Sequence, residues 1–454
     1  MHLNTIGPKL WKYCNVLRND GMDYGQYLDQ ITYLLFLKMA STKAGGKAGS
    51  AWSLLEEQPV AGLTSVYETL LGELGSAESE VSAIFAGARS EFASDASLRT
   101  LMTELNSLEW ESLERDVQAD AFEYLLDQAA SEGKKGAGQY FTPRVLTKAI
   151  VACLKPGYFE GDSEVLDPAA GTGGFLIAAH EWLVRQSGTS TKIKYRGNEL
   201  VQRPRRLALM NGQLHDIRDF AVTLGDALQS PASDASRIIL ANPPFGSQGH
   251  QIPDRKDFWF RTTNKQANFV QHIVQSLGQG GRAAIVVPDS SLFGETARGL
   301  LPEMLRRCKL HTVLRLPDGT FAPYTAGTKT NVLFLSNENP SSDVWIYDAR
   351  SRESAGRKPL GATELAEFVD VYGPDAHGRS PRSESQSPSK RWTKFTAGDV
   401  EQVQYELDRL EWRSTAEDVS VPESEELLRE ARDQLDVALR SLERLQSILV
   451  DNDA

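Results

Sequence analysis

The pattern that most constrains the fold is a strand, a glycine-rich turn and a helix start within residues 165–176. A short apolar strand ends at Asp167, and glycines follow before the apolar pair Phe175-Leu176. This order is typical of the first βα unit of a doubly wound sheet, in which glycines let a ligand approach the backbone beyond the strand's carboxyl end. We therefore expect an α/β fold with a ligand at that edge of the sheet.

The turn itself indicates which kind of ligand binds there. Its glycines, Gly171, Gly173 and Gly174, lack the full G-x-G-x-x-G spacing of a dinucleotide site, although a glycine-rich turn alone would also fit NAD. Asp167, directly before the turn, would repel a pyrophosphate but would attract an ammonium group. The turn therefore favours S-adenosylmethionine, which carries an amino-acid ammonium group, over a dinucleotide.

Two more acidic residues follow where the next strands are expected to end. Glu199 closes the strand at residues 194–198, and Asp226 ends the third strand. A carboxylate after the second strand can bind both hydroxyls of a ribose. Taken singly, each also fits a solvated turn residue, but their order after the glycine turn predicts a full cofactor site.

A second motif follows the apolar run at residues 238–241, which predicts a strand buried on both faces. The run ends at Asn242-Pro243-Pro244-Phe245, in which two prolines fix the backbone and remove two N–H donors. The Asn242 amide oxygen and the Pro243 carbonyl are then rigid acceptors, with the Phe245 ring just beyond. This arrangement fits an exocyclic amine on a flat ring, and on its own it also fits an ordinary strand-to-loop turn.

The tetrapeptide is similar to the catalytic motif of amino-directed DNA methyltransferases, in the form favoured by adenine-N6 enzymes. Residues 167–175 match that family's Asp-Pro-x-x-Gly-x-Gly-Gly-Phe motif. The helical segment before them and residues 316–321 and 329–334 resemble the M (modification) subunits of type I restriction-modification systems in particular. The resemblance implies that Asn242, Pro243, Pro244 and Phe245 carry the catalysis.

The same resemblance implies a set of S-adenosylmethionine-binding residues. Its first members form a Tyr-Phe-Thr-Pro motif that lies against the methionine end of the cofactor, and the last accepts a hydrogen bond from the cofactor's adenine amine. From the residues alone, Thr142 is an N-cap candidate with Pro143 at the first helical position. The implied set is Tyr140, Phe141, Thr142, Pro143, Asp167, Gly171, Thr172, Gly173, Gly174, Phe175, Glu199 and Asp226, and no metal ligands are predicted.

The implied reaction is methyl transfer to the N6 amine of an adenine flipped out of double-stranded DNA. The lone pair of N6 is delocalised into the ring, and hydrogen bonds accepted by Asn242 and Pro243 let the nitrogen pyramidalise as it attacks. Stacking of the base on Phe245 contributes on the order of 1–3 kcal/mol, which offsets part of the free-energy cost of flipping the base out of the helix. There are two alternatives to a DNA methyltransferase. Similar motifs occur in protein-glutamine and RNA amino methyltransferases, and the non-enzymatic alternative is a catalytically silent scaffold in a defence complex.

Charge and motif order predict partner chains. The sequence has 49 basic and 61 acidic residues, a formal charge of −12. Because affinity for the phosphate backbone is mostly electrostatic, this charge argues against this chain alone binding a long stretch of DNA. No large insertion near the motifs would read DNA sequence, so we expect a separate DNA-specificity subunit, with two copies of this chain per complex. There is no phosphate-binding G-x-x-x-x-G-K-[ST] loop, so ATP-driven translocation would belong to a restriction subunit on a third chain.

Composition divides the chain into four predicted parts. Residues 1–130 are a helical N-terminal domain, 131–372 the methyltransferase domain with its last strand at residues 331–335, and 373–421 a linker and C-terminal extension. In 422–454, leucines repeat every seven residues, which predicts a coiled-coil helix that binds the specificity subunit. The alternative is an amphipathic helix folded back on its own domain. The repeating leucines are Leu428, Leu435, Leu442 and Leu449.

Two further expectations concern cellular location and one loop. There is no signal sequence and no apolar run of membrane-spanning length, which predicts a cytoplasmic protein. Residues 246–265 mix aromatic and basic side chains, which suits a lip over extruded DNA. An ordinary surface loop with a hydrophobic anchor explains them equally well.

Overall fold

The structure is a computed structural model that describes residues 3–19, 21–42, 46–78, 81–108, 110, 115–132, 142–157, 163–187, 193–229, 236–246, 253–321, 328–338, 343–350 and 361–410. The predictions for Tyr140 and Phe141, and those for the heptad region, lie outside these residues.

The N-terminal part is helical, as predicted. Apolar residues such as Leu28, Ile31 and Leu35 recur at helical spacing and are buried in a core shared by these helices. Local capping also defines the elements: Asp23 and Gln26 exchange side chain-to-backbone hydrogen bonds of 2.9 Å at the start of the second helix. The helices are α1 Leu3–Asn19, α2 Tyr24–Ser41, α3 Lys47–Glu57, α4 Leu63–Ser76, α5 Ser82–Phe85, α6 Asp95–Asn106 and α7 Arg115–Glu132.

A single mixed sheet follows, whose strands are β1 Glu164–Asp167, β2 Lys194–Glu199, β3 Phe220–Leu224, β4 Ser236–Ala241, β5 Leu277–Pro288, β6 Lys309–Arg315, β7 Thr330–Ser336, β8 Val344–Asp348 and β9 Trp392–Phe395. Their order across the sheet is β3-β2-β1-β4-β5-β7-β6-β8-β9. The first five strands are mutually parallel, and β7 runs antiparallel to β5 and β6. This is the predicted doubly wound α/β sheet.

Helices connect the strands, and hydrophobic clusters lie on both faces of the sheet. Along β4, Ile238 and Leu240 face one cluster while Ile239 and Ala241 face the other, so this strand is buried on both sides as its sequence predicts. The helices are α8 Arg144–Leu154, α9 Gly174–Ser187, α10 Gln202–Leu214, α11 Lys265–Ser276, α12 Gly294–Arg307, α13 Ala362–Tyr372 and α14 Ala397–Gln402.

The N-terminal helices pack on α10. Leu207, Met210 and Leu214 of α10 belong to the same hydrophobic cluster as the cores of α1 and α2. Beside this contact, Asp29 of α2 forms ion pairs with Arg203 at 3.0 Å and Arg206 at 3.3 Å. The predicted helical domain is therefore joined to the sheet through both apolar and charged contacts.

The C-terminal part of the sheet differs from the prediction. The prediction that β7 is the last strand is wrong, because β8 pairs with β6 and β9 pairs with β8. Residues 373–421 are predicted to be a linker and extension, but their described part packs against the sheet. Arg382 donates to the carbonyl of His311 in β6 and to that of Tyr372 at the end of α13, and Trp392 of β9 stacks on Trp345 of β8 with ring centroids 5.0 Å apart. Such long-range contacts leave no pattern in the local sequence. By composition alone, a packed segment rich in Ser, Pro and Gly therefore resembles a flexible linker.

Candidate active site

The topology brings the two sequence motifs to one edge. β1 and β4 are adjacent and parallel, with Val165 opposite Ile238 and Leu166 opposite Ile239. Asp167, the last residue of β1, and Asn242, which directly follows β4, therefore lie at the same edge of the sheet. Both line one cavity of about 500 Å³.

Most of the predicted site residues that the structure describes line this cavity. They are Thr142, Asp167, Gly171, Thr172, Gly174, Phe175, Glu199, Asp226, Asn242, Pro244 and Phe245. Among the described residues, Pro143, Gly173 and Pro243 are predicted site residues that do not line it. Tyr140 and Phe141 lie outside the described ranges.

The glycine turn is held by hydrogen bonds from its backbone N–H groups to carboxylate side chains. Gly171 N donates to Glu199 Oε2 at 2.9 Å, and Ala169 N donates to Asp167 Oδ1 at 3.0 Å. Gly171 has φ of +54°, in the left-handed region, and a Cβ added there would meet no heavy atom within 4 Å. The same is true of a Cβ at Gly174, so the bare backbone faces space that a ligand can fill.

Gly173 has a different role from its neighbours. Its φ is +83°, and an added Cβ would come within 3.3 Å of the Ala208 Cβ on α10. This glycine therefore lets the turn pack closely on a helix and does not face the cavity.

Acidic side chains outnumber basic ones in the lining of the cavity. Asp167 is only 2% exposed, and burial together with the charge of Glu199 raises its pKa to about 8. Burial also raises the pKa of Glu199, although backbone N–H groups that bind its carboxylate oppose the change. The acidic lining residues are Glu123, Asp167, Glu181, Glu199 and Asp226, against Arg144 and Lys265. A cationic ligand fits this lining, and a polyphosphate does not.

Asn242 is held by its amide nitrogen. Nδ2 donates to Thr142 Oγ1 at 3.0 Å, while Oδ1 is buried and accepts no hydrogen bond from any described residue. The prediction that Thr142 caps α8 is wrong, because the cap position is Pro143 and no side chain caps this helix. The Thr142 hydroxyl instead meets Asn242.

The backbone after Asn242 is fixed by the first turn of α11, which the sequence analysis did not associate with the site. Gln266, 2% exposed, donates from Nε2 to the Pro244 carbonyl at 2.6 Å, and Lys265 N donates to the Gly246 carbonyl at 3.3 Å. Phe245 packs edge-to-face on Phe321 with ring centroids 6.0 Å apart. No local motif marks Gln266, so only the tertiary contact reveals it.

The described part of the loop after the motif is anchored to the protein. Arg255 is buried, forms a two-point ion pair with Asp257, and donates to the Leu228 carbonyl. Phe258 is buried against Leu228, and Trp259 Nε1 donates to the Leu300 carbonyl at 3.2 Å. For residues 253–265 the structure therefore favours the surface loop with a hydrophobic anchor over a lip made of these aromatic side chains.

A charged cluster borders the cavity on the side of the N-terminal helices. Arg144, at the start of α8, lies 2.6 Å from Asp120 and 2.7 Å from Glu123, both on α7, and 2.7 Å from Glu181 on α9. Burial alone would lower the pKa of Arg144, but these carboxylates outweigh it and raise the pKa. Glu123, Glu181 and His215 have ligand atoms within 4.8 Å of one another, as a metal site requires, but the guanidinium group already supplies the positive charge.

Comparison with known proteins identifies the family. The N-6 DNA Methylase family matches residues 113–418, and the HsdM N-terminal domain matches residues 6–133. The methylase subunit of the StySPI type I restriction enzyme of Salmonella potsdam is 36% identical, over 98% of this chain and 95% of the relative. The chain belongs to the type I restriction enzyme methylase subunits.

A second relative and the solved structures agree with this assignment. The EcoKI methylase subunit of Escherichia coli K12 is 35% identical, over 100% of this methylase subunit and 97% of the relative. The crystal structure of the EcoKI M protein has a TM-score of 0.53 at 32% identity, over 98% and 96% of the two chains. A chain from work on assembly of a type I restriction-modification system has the same fold, with a TM-score of 0.74 at 23% identity, over 98% of each chain.

Membership of this family fixes the class of reaction. The methylase subunit is an N6-adenine DNA methyltransferase, which implies S-adenosylmethionine as the methyl donor. The findings do not favour a protein-glutamine or RNA methyltransferase, or a silent scaffold. Among the described residues, every helix is too short or too polar to span a membrane.

Proposed function

We propose that the cavity binds S-adenosylmethionine and that Asn242 receives the N6 amine of a flipped adenine at the same edge of the sheet. The observation that carries this proposal is the Asn242 Oδ1 atom, which is buried and accepts no hydrogen bond from a described residue, on a residue that lines the cavity. A buried acceptor without a donor is costly, so a ligand that brings N–H hydrogens fits there.

Three acidic residues fit the cofactor. Asp167 suits the cationic amino-acid end, Glu199 the ribose hydroxyls, and Asp226 the adenine amine. Asp167 and Glu199 end β1 and β2, Asp226 lies two residues beyond β3, and all three line the cavity. The open glycine floor at Gly171 and Gly174 leaves room for the backbone to approach the ligand. We assign Tyr140, Phe141, Thr142 and Pro143 to the methionine end from the sequence motif.

The protein's part in the chemistry is to bind and orient the amine. S-adenosylmethionine supplies an electrophilic methyl group. Asn242 Oδ1 accepts one N6 hydrogen, and the sequence motif assigns the other to the Pro243 carbonyl, although Pro243 does not line the cavity. These hydrogen bonds draw the nitrogen lone pair out of the ring and direct it at the methyl donor. The Phe245 ring stacks on the base, and positioning in a preformed cavity supplies much of the rate.

The substrate is double-stranded DNA, bound together with partner chains. The formal charge of −12 indicates that a more basic chain provides much of the grip on the phosphates. The relatives are subunits of type I restriction enzymes, which supports a DNA-specificity subunit and an ATP-dependent restriction subunit as partners. We assign contact with the specificity subunit to residues 422–454, with two copies of this chain per complex.

Replacement of Asn242 by Ala tests this function. We expect Asn242→Ala to lower methyl transfer to DNA by at least about 100-fold, since an acceptor used in the transition state is lost, while cofactor affinity stays nearly unchanged. The measurement is transfer of tritium from S-adenosylmethionine to DNA by the chain with its specificity partner.

The control is Asn337→Ala, which removes a half-buried amide that donates to the Leu277 and Gly278 carbonyls at the opposite edge of the sheet. It should lower stability without a specific loss of transfer. Unchanged turnover of Asn242→Ala would remove Asn242 from the mechanism, and label found in protein or RNA would contradict the DNA substrate.

A further inference from the structure

The orientation of the Asn242 amide depends on a residue far away in sequence. Thr142 Oγ1 lies 3.0 Å from Asn242 Nδ2, although the two residues are 100 positions apart. Thr142 directly precedes the cap position of α8, and Asn242 directly follows β4. The contact therefore joins the cofactor motif to the catalytic motif.

An asparagine amide has an acceptor on one side and two donor hydrogens on the other, so its orientation decides what it binds. A substrate amine brings hydrogens, and the productive orientation turns Oδ1 toward the cavity. Nδ2 then points at the protein and needs an acceptor there, because a buried N–H without one is costly. Thr142 Oγ1 occupies that position.

We propose that Thr142 is a positioning residue for methyl transfer, whose hydroxyl oxygen holds the Asn242 amide with Oδ1 toward the substrate amine. The inference rests on the proposed function of Asn242. Thr142 acts through that amide and not on the reacting atoms. The Thr142 oxygen accepts the hydrogen bond from Asn242 Nδ2 through a lone pair, so the hydroxyl keeps its own proton.

Other contacts hold the two elements in place, so the orientation of the amide can be tested separately. Gln266 fixes the Pro244 carbonyl, and Thr147 binds the Pro143 carbonyl through its backbone N at 3.0 Å and its hydroxyl at 3.2 Å. Loss of the Thr142 hydroxyl should therefore leave the start of α8 and the catalytic loop intact. It removes only the acceptor for Asn242 Nδ2.

Thr142→Val keeps the shape of the side chain and removes the acceptor, whereas Thr142→Ser keeps the hydroxyl. In the complex with its specificity partner and at saturating S-adenosylmethionine, we expect Thr142→Val to lower kcat roughly 10- to 100-fold, with the melting temperature nearly unchanged. The dissociation constant of S-adenosylmethionine is measured in parallel, because the sequence motif also assigns Thr142 to the methionine end of the cofactor. Thr142→Ser should restore most of kcat. The matched control is Thr147→Val, which removes a buried hydroxyl of α8 at the same cavity and leaves the contact with Asn242 in place.

A second measurement does not depend on turnover. With S-adenosylhomocysteine present, the wild-type complex should bind a duplex with adenine at the methylated position more tightly than one with purine, which lacks the amine. Thr142→Val should reduce this ratio, and Thr147→Val should not. In an Asn242→Asp background, residue 242 has no N–H group that needs an acceptor. Thr142→Val should then change the adenine-to-purine affinity ratio much less.

The outcomes separate this inference from the proposed function. If Asn242→Ala is inactive while Thr142→Val equals wild type in kcat and in the adenine-to-purine ratio, only the positioning role is overturned. Equal losses in Thr142→Val and Thr147→Val, or no restoration by Thr142→Ser, overturn it as well. Full activity of Asn242→Ala would instead overturn the proposed function.

Discussion

At the scale of single residues, the site consists of buried polar groups whose burial costs free energy unless a ligand binds them. The Asn242 Oδ1 atom is buried and accepts no hydrogen bond from the described residues, and Asp167 is 2% exposed beside Glu199. Each of these groups is destabilised in the empty cavity, and a suitable ligand removes that penalty. The same features that lower stability therefore provide binding energy and selectivity.

Asp167 should make cofactor binding depend on pH. Burial raises its pKa to about 8 from 3.8, so ionisation opposes folding of the empty protein, and this contribution to stability falls as pH rises from about 4 to 8. A cationic cofactor favours the carboxylate and lowers that pKa. Binding should then release a proton, and affinity for S-adenosylmethionine should fall as pH drops from 7.5 to 6, by at most about tenfold per unit.

Isothermal titration calorimetry in two buffers of different ionisation heat measures the proton release. Asp167→Asn, which cannot titrate, serves as the control and should bind more weakly with a flatter pH dependence. Proton release and pH dependence that persist unchanged in Asp167→Asn would assign the titration to another group.

At the scale of elements, the cavity is built by helices from both parts of the protein. Glu123 and Leu126 of α7 line it together with residues of α8 and α9. Arg144 links these three helices through its carboxylate partners. The N-terminal helices therefore contribute part of the wall of this cavity and are more than a packing domain.

Arg144→Gln should lower the free energy of unfolding by about 1–3 kcal/mol, because Asp120, Glu123 and Glu181 lose their shared positive partner. Burial would raise the pKa of Glu123, but the hydrogen bond with His215 and the charge of Arg144 outweigh it and lower the pKa. Stability from such a group is present above its unfolded pKa, 4.5, and is lost as pH falls through the lower folded value. The difference between variant and wild type should therefore shrink near pH 4.

Urea unfolding at pH 7 and pH 4 measures both effects. The matched control is Arg185→Gln, since Arg185 is 57% exposed and lies 3.8 Å from Glu181, so it should cost less than about 0.5 kcal/mol. Equal effects of the two substitutions, or a difference that does not change with pH, would contradict the proposed role of the cluster.

At the scale of the whole molecule, catalysis and DNA recognition are expected on different chains. The described residues hold a methyltransferase cavity and a helical part, and the formal charge of −12 disfavours tight binding of DNA by this chain alone. The heptad leucines at residues 422–454 lie outside the described part and stay a prediction, as do the four domain boundaries.

Deletion of residues 422–454 should abolish assembly with the specificity subunit while affinity for S-adenosylmethionine stays within about twofold, since the described residues that line the cavity all fall between 123 and 269. Co-purification and size-exclusion chromatography measure assembly, and calorimetry measures cofactor binding. Leu435→Ser with Leu442→Ser should act like the deletion. Arg440→Ser, away from the leucine positions of the heptad, should assemble normally, and an intact complex after the deletion would disprove the role of this segment.

The sequence alone determined the features that follow from local chemistry and strand order. The glycine turn, the acidic strand ends and the Asn-Pro-Pro-Phe motif are short patterns, and parallel strands necessarily bring their carboxyl ends to one edge. Only the tertiary structure decided that Thr142 orients Asn242, that Gln266 holds the Pro244 carbonyl, and that β8 and β9 extend the sheet. These contacts join distant segments through packing, and packing leaves no periodic or local signal in the chain.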